Sequence, residues 1–303
     1  MTVHILVPTH NRREITSSFL ERLFEQDVQE SVVVIVVDAG SVDGTLAMLN
    51  LRQQMAPCNF TLTVLEGKAS WWWAQSMAKA VEHISTSLQP KDVVIFANDD
   101  VLFTPGVLSK LAGYCRDNNS IIQAKVARAD APQIIIDRGA KLKPETLDIY
   151  EVEGPGFEAK LSEIDVATGR TTAFPAPVIL RGLNVNFRSL PHHLADIEFS
   201  VRARRLGYPI FLAEDVVVLS TDEFSSERTH RGLWRRMAHV SSPERLLSYW
   251  AFWRTVSPEV PPTVLAWRYL RYLILPKART AISRLPTVPR RLMQKSATKG
   301  TAE

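Results

Sequence analysis

The sequence predicts an open α/β fold with a mostly parallel central sheet flanked by helices. Two observations carry this. Over the first 130 residues, short β-branched runs alternate with longer segments whose apolar residues recur at helical spacing, the pattern of βαβ units. The short runs are also near-continuously apolar, as strands become when helices cover both faces of a sheet. With 303 residues, 46% hydrophobic and 22% charged, the chain has the material for one large or two small globular domains with a real core.

The elements follow in order. Val3 to Pro8 reads as the first strand, and Ile15, Phe19, Leu20, Leu23 and Phe24 make one apolar stripe on the helix after it. Val32 to Asp38 is the second strand, after which Asp43 precedes Gly44-Thr45 as the N-cap of a second helix. Phe60 to Leu65 is the third. Ser70 is placed to cap the next helix, whose inner face is Trp73, Met77, Val81 and Ile84. Successive helical residues point roughly 100° apart, so the triplet Trp71-Trp72-Trp73 cannot all face the core. That leaves Trp71 or Trp72 for a cleft, beside the alternative that all three pack against neighbouring structure. Val93 to Asn98 is the fourth strand, ending in Asn98-Asp99-Asp100, with a helix beginning near Pro105. Residues 128 to 172 lack periodicity and read as an insertion of loops and short strands. From Pro191 to Pro209, an acidic pair, Asp196 and Glu198, opens an Arg-rich helix that stops at Gly-Tyr-Pro. Residues 243 to 256 read as a helix with Leu246, Leu247, Trp250 and Trp253 that packs on the preceding domain or begins a membrane-facing surface.

Composition narrows the function classes. Cys58 and Cys115 lie in unrelated segments without metal-ligand spacing, which argues against a disulfide framework or a zinc site and suits a reducing cytosol. The amino terminus enters a strand directly, and no stretch approaches eighteen uninterrupted apolar residues, so neither secretion nor a bilayer span is expected. The net charge is +4, but residues 264 to 303 carry nine Lys or Arg against one acid, leaving −4 for the rest. Interleaved Trp267, Tyr269, Leu270, Tyr272, Leu273, Ile274 and Leu275 favour a membrane surface over nucleic acid as partner of this tail; a solvated or oligomerising helix is the alternative.

In open sheets, ligands bind beyond the carboxyl ends of the strands. Here four strands end in polar runs: Pro8-Thr9-His10-Asn11-Arg12, Asp38 through Thr45, Gly67-Lys68, and Asn98-Asp99-Asp100. Together with Asp196 they suggest a catalytic carboxylate facing a metal-bound diphosphate.

The motifs PTHNR, VVDAGSVDGT, NDD and ADIEFSVRARRLGYP, in this order and at these separations, resemble a family 2 glycosyltransferase with the GT-A fold. The resemblance spans about residues 3 to 232 and points to the bacterial rhamnosyltransferase-like branch, in which a tryptophan cluster similar to Trp71-Trp72-Trp73 opens the third helix. It implies an inverting enzyme that takes a sugar from a UDP- or dTDP-linked donor, rhamnose in that branch, to a hydroxyl of a glycan or lipid-linked saccharide. Residues 1–127 would be the nucleotide-sugar half and 128–240 the acceptor half of one domain, with 241–303 a helical extension. The protein would be cytoplasmic, peripheral on the cytoplasmic face of the inner membrane.

Residue by residue, the resemblance implies that Asp38 accepts hydrogen bonds from the base or ribose; the residues alone equally describe a turn aspartate satisfying backbone amides. Pro8, Thr9 and Arg12 would wall the nucleotide, with Arg12 on a phosphate or merely solvated at a helix start. Lys68 would lie over the phosphates and Trp72 under a sugar ring. Asn98-Asp99-Asp100 stands at the family's DxD position, with Asp100 the direct ligand of Mg²⁺ or Mn²⁺ and Asp99 near the ribose or sugar. His230 occupies the region of a second metal ligand, with His192, His193 and His239 as competitors. Asp196 matches the family's catalytic base, and Glu198 is spaced to pair with Arg202 at i+4. Ala78 and Ala80 replace an Asn and a Gly usual in relatives.

Two other function classes predict different residues. A sugar nucleotidyltransferase would carry a Gly-rich, Arg-Lys phosphate loop near the first strand, which is missing. A non-catalytic sugar- or nucleotide-binding homologue predicts loss of Asp100 or Asp196, and both are present.

Overall fold

The structure, a computed structural model, describes residues 1–143, 148–152, 160–221 and 232–274. Residues 1–261 form one compact unit and 262–303 a second.

The first unit alternates strand and helix as expected: β1 (Thr2–Thr9), α1 (Arg13–Phe24), β2 (Ser31–Asp38), α2 (Thr45–Gln54), β3 (Phe60–Glu66), α3 (Trp73–Ser85), β4 (Val93–Ala97), β5 (Val101–Phe103) and α4 (Val107–Asn118). The rest of the unit adds β6 (Ile121–Arg128), β7 (Ile135–Asp137), β8 (Ala140–Lys143), β9 (Asp148–Glu151), β10 (Leu161–Ile164), β11 (Thr171–Pro175), α5 (Pro177–Leu180), α6 (Ala195–Arg205) and β12 (Ile210–Ser220). After these come α7 (Leu233–Ala238) and α8 (Leu246–Val256), and in the second unit α9 (Pro262–Ile274).

The strands run in the order β10-β12-β6-β11-β4-β1-β2-β3, with β5 and β7 paired to β12 and β6 and a separate β8-β9 ribbon. β3, β2, β1 and β4 are mutually parallel, which is why β2 can be Val-rich on both faces: from Val34 to Asp38 every residue is buried. β11 runs antiparallel to both β4 and β6 and thereby joins the two halves of one sheet. The irregular 128–172 segment thus supplies short strands, as expected, and one long-range connection that its composition did not announce.

The helices are held by the predicted stripes. Phe19, Leu20 and Leu23 of α1 are fully buried, and Phe19 meets Phe103 edge-on at 6.0 Å. α6 is fastened to the sheet by an aromatic cluster: Phe199 lies 5.0 Å from Phe96 of β4 and 5.1 Å from Phe174 of β11. Two local expectations change. Ser70 is not the cap of α3: Trp72 takes that position with an extended backbone and no side-chain cap bond. Asp43 is not the N-cap of α2 either: Gly44 takes that position, and the Asp43 carboxylate one residue earlier accepts from Thr45 N–H at 3.0 Å and from Arg13 N–H at 3.1 Å, tying together the starts of α1 and α2. α8 packs onto α6, with Arg205 reaching the Val256 carbonyl at 2.9 Å, so the first compact unit extends past residue 240.

Among the described residues, no helix is long and apolar enough to cross a membrane. On α9, Val264, Trp267 and Leu270 are exposed.

Candidate active site

The parallel strands bring their polar ends to one edge, and loop-to-loop bonds fix them there. His10 Nδ1–H donates to the Ala39 carbonyl at 2.8 Å, and Asn11, in the left-handed region at φ 52°, accepts from Val42 N–H at 2.8 Å. Gly40 is needed where it stands: at φ 69°, an added Cβ would meet Ala69 N at 2.8 Å. The loops after β1, β2 and β3 are therefore one knitted surface.

Asp38 is buried at the end of β2, and both its carboxylate oxygens accept from Ser41 N–H at 3.3 Å while the Ser41 hydroxyl donates as well. Its turn role is thus visible in the fold. Pro8 is half-buried, Thr9 buried and Lys68 exposed.

Asp99 is buried beyond β4 and takes Arg12 Nη1 at 2.7 Å and the Thr16 hydroxyl at 3.2 Å, with the Thr9 hydroxyl 2.8 Å from that of Thr16. Burial, aided by the neighbouring Asp100 charge, pushes the Asp99 carboxyl up to about 6 against the pull of Arg12 and the two hydroxyls. Arg12, read from sequence as a phosphate contact or a solvated side chain, is here the partner of Asp99. Asp100 is also buried, its carbonyl accepting from Thr221 N–H at 3.1 Å. Two adjacent buried carboxylates are hard oxygen donors whose mutual repulsion a divalent cation would relieve, so the residues fit Mg²⁺ or Mn²⁺. No group of three or more His, Cys, Asp or Glu side chains forms a metal cage among the described residues. His230 lies outside the described residues.

Trp73 and Asn98 connect this acidic end to α6. Trp73 Nε1–H donates to Asn98 Oδ1 at 2.9 Å, and the indole crosses Phe96 edge-on at 6.4 Å. Its face lies so close to Gly169 that a Cβ there would stand 2.4 Å from the ring and 3.2 Å from Asp196 Cβ. Trp73, expected on the core stripe, is only half-buried and is the tryptophan that joins Asn98 to the Asp196 neighbourhood. Trp71 packs over Gly67, and Trp72 lies 5.1 Å from His192, ring centroid to centroid.

Asp196 sits in the first turn of α6. Its Oδ2 accepts from Gly169 N–H at 2.7 Å and its Oδ1 from Ile197 N–H at 2.9 Å. Burial raises its pKa above the ordinary carboxylate value in spite of those amides, and the nearby Asp137 charge adds to the rise. The residue before α6, Leu194, is held at φ 69°, a strained region for a branched side chain. Glu198 turns away: it is buried and bidentate to Arg202, both bonds 2.8 Å, and Arg202 also holds the Asn184 carbonyl at 2.7 Å. That places Glu198 in the expected helix pair. His192 is pushed down to about 4 by burial and by His193, so it stands neutral beside Trp72.

Sequence reasoning missed Gly169, Asp137 and the bond between Trp73 and Asn98. The one available signal was Thr168-Gly169-Arg170, a polar turn between apolar runs, whose proximity to Asp196 depends on a contact 27 residues apart.

Residues 4–150 match the family model described as Glycosyl transferase family 2. Among curated proteins, the chain is 29% identical over 110 residues to a protein of Bacillus subtilis (strain 168) named "Uncharacterized glycosyltransferase YfnE", covering 36% of this chain and 26% of that one. The chain therefore spans about a quarter of the length of the curated relative it matches. Among solved structures, the mannosyltransferase PcManGT from Pyrobaculum calidifontis, in complex with GDP-Man and Mn²⁺, is similar over 97% of this chain and 78% of that chain at 18% identity and a TM-score of 0.57. TarS 1–349 of S. aureus, in complex with UDP-GlcNAc, is similar over 90% and 72% at 16% identity and a TM-score of 0.57. At these identities the likeness is one of fold: the GT-A arrangement.

Proposed function

We propose that this chain, whose residues 4–150 are a family 2 glycosyl transferase domain, moves a sugar from a nucleoside diphosphate to a hydroxyl of a glycan or lipid-linked saccharide with inversion at the anomeric carbon. The observation that carries this reading is the contact chain Asn98, Trp73, Gly169, Asp196, which joins a buried acidic pair to an amide-held carboxylate.

Asp196 takes the proton of the acceptor hydroxyl as its oxygen attacks the anomeric carbon. The bond from that carbon to the diphosphate oxygen breaks, and its electron pair leaves with the nucleoside diphosphate. One base suffices, and no covalent sugar intermediate forms. A carboxylate whose pKa is raised is a stronger base, and the two backbone amides on Asp196 keep it aimed while it works. Asp100, with His230 as second ligand, would hold Mg²⁺ or Mn²⁺, which when bound supplies positive charge to the departing diphosphate.

Pro8, Thr9, Arg12, Asp38 and Asp99 form the nucleotide end of the site, Lys68 reaches the phosphates, and Trp72 offers an indole face to a sugar ring. The donor is read as a UDP- or dTDP-sugar, with rhamnose the choice suggested by the tryptophan cluster. The catalytic domain covers residues 1–240 with α8 packed on it, and the basic, aromatic run over 264–303 draws the enzyme to an anionic membrane surface on the cytoplasmic side.

The test is nucleoside diphosphate release across UDP-, dTDP- and GDP-sugars, with Mn²⁺, Mg²⁺ or EDTA, for the wild type, Asp100→Asn and Asp196→Asn. Metal-dependent release from one donor, lost in both variants, is the expected result. Silence across the panel together with no donor binding by calorimetry would leave a non-catalytic homologue. Vesicles containing anionic lipid should retain the full chain and release one ending at residue 263.

A further inference from the structure

We propose that Asp137, at the end of β7, is a positioning residue for the proton transfer: it holds the turn whose amide seats Asp196, and it acts on that carboxylate through this turn and through its own charge. The inference rests on the reading of Asp196 as the base.

The geometry is a closed set of bonds. Asp137 Oδ2 accepts from the Thr168 hydroxyl at 2.7 Å, and its Oδ1 accepts from Gly139 N–H at 2.9 Å and Gln123 Nε2 at 2.8 Å. Gln123, fully buried on β6, returns its Oε1 to Thr168 N–H at 2.9 Å. Thr168 is thus held at both its hydroxyl and its amide. The next amide in the chain, Gly169 N–H, is the donor to Asp196 Oδ2. On the preceding side, Ala167 N–H binds the Ser200 hydroxyl of α6 at 3.1 Å. A turn pinned at successive residues to β6, β7 and α6 has little freedom to carry its amide away from Asp196.

Charge adds a second route. The other titratable or charged groups on the elements around Asp196 are Arg170 in the same turn, His192 and His193 before α6, Glu198, Arg202, Arg204 and Arg205 within it, Asp99 and Asp100 beyond β4, and Arg138 beside Asp137; Arg204 is paired with Asp165 and Arg205 with the Val256 carbonyl. Glu198 is paired with Arg202, Asp99 with Arg12, and Arg138 faces Glu214 at 3.8 Å, while His192 is neutral. Asp137 is the carboxylate whose charge acts on Asp196, in the direction that strengthens it as a base.

The experiment is a ¹³C NMR titration of full-length protein labelled at aspartate carboxyls, with Asp196→Asn assigning the resonance, alongside pH profiles of kcat. Asp137→Asn keeps an acceptor for the turn and removes the charge: the Asp196 midpoint should fall, the acid limb of kcat should move down with it, and the plateau should drop several-fold while donor KM stays within about twofold. Thr168→Val removes the hydroxyl bond and keeps the charge, so it should lower kcat without lowering that midpoint. An unchanged midpoint in folded Asp137→Asn, or the same fall in Thr168→Val, overturns the proposal. Full activity of Asp196→Asn would instead remove the premise that Asp196 is the base, and the titration would still report whether Asp137 acts on it.

Discussion

The amide of Gly169 points at the carboxylate of Asp196, 2.7 Å away, while the indole of Trp73 closes the space where a side chain on Gly169 would go. Gly169→Ala forces a choice: the ring moves, or the turn moves and takes its amide from Asp196. The nearest atoms belong to a packed aromatic ring rather than to the end of a flexible chain, so the turn yields. We expect kcat to fall by about 10-fold or more, the scale of misplacing a general base, with far-ultraviolet circular dichroism unchanged. Wild-type kcat in Gly169→Ala would mean that the amide has no part in aiming the base.

Trp73 carries a second, separable role through its bond to Asn98. Trp73→Phe deletes the donor to Asn98 Oδ1 and trims the indole atoms that face Gly169. The expected loss of stability is at least about 1 kcal/mol, that of one net hydrogen bond, with the lost ring contact added to it. Because Asn98 precedes the acidic pair, donor affinity should weaken more than acceptor affinity. Calorimetry with the nucleoside diphosphate and separate KM values for the two substrates check this.

The four parallel strands and the helices between them were legible because β1, β2 and β4 are buried on both faces and read as near-continuous apolar runs, while β3, at the end of the sheet, is short, β-branched and bounded by polar residues. The carboxyl-end motifs were legible because they sit immediately beyond those runs. Asp137 and Gly169 were not, because their role is created by β11, which enters antiparallel between β4 and β6 and carries the 168–170 turn to α6. No period or spacing in a charged, irregular stretch encodes that meeting. The tryptophan triplet shows the same limit: helical geometry established that the three rings diverge, but the first helical residue proved to be Trp73, so the ring assigned to the core stripe lies at the helix end, beside Asn98.

Asp99 should make the stability of the metal-free protein depend on pH. Its folded carboxyl titrates near 6 against an ordinary 3.8, so the folded state holds a proton the unfolded chain has lost between those values. Stability therefore declines as pH rises from about 4 to about 6 and levels off above, a difference on the order of 2 kcal/mol. Asp99→Asn has no proton to lose. The stability of the variant minus that of the wild type should grow by that amount from pH 4 to pH 7, whatever its absolute sign after the Arg12 pair is lost. Urea unfolding at the two pH values, in EDTA, gives the comparison; a difference that is constant with pH would refute the shift.

Phe199 links the sheet to the helix that carries Asp196. It lies on α6, three residues after Asp196, and its ring fills the space between Phe96 and Phe174 on two strands that pair directly. Phe199→Ala removes a fully buried ring and leaves a cavity that two flanking phenylalanines on a hydrogen-bonded sheet cannot collapse to fill. The cost should be about 3–5 kcal/mol, which for a unit of this size lowers Tm by roughly 10 °C. Phe199→Leu keeps most of the volume and should cost less than half as much. If the cluster also seats the proposed base, kcat measured well below each variant's Tm should follow the order wild type, Leu, Ala, with nucleoside diphosphate affinity little changed, because the residues proposed for the donor lie at the ends of β1, β2 and β4 rather than on α6. Equal kcat in all three, with the stability losses as stated, would confine the cluster to holding the fold.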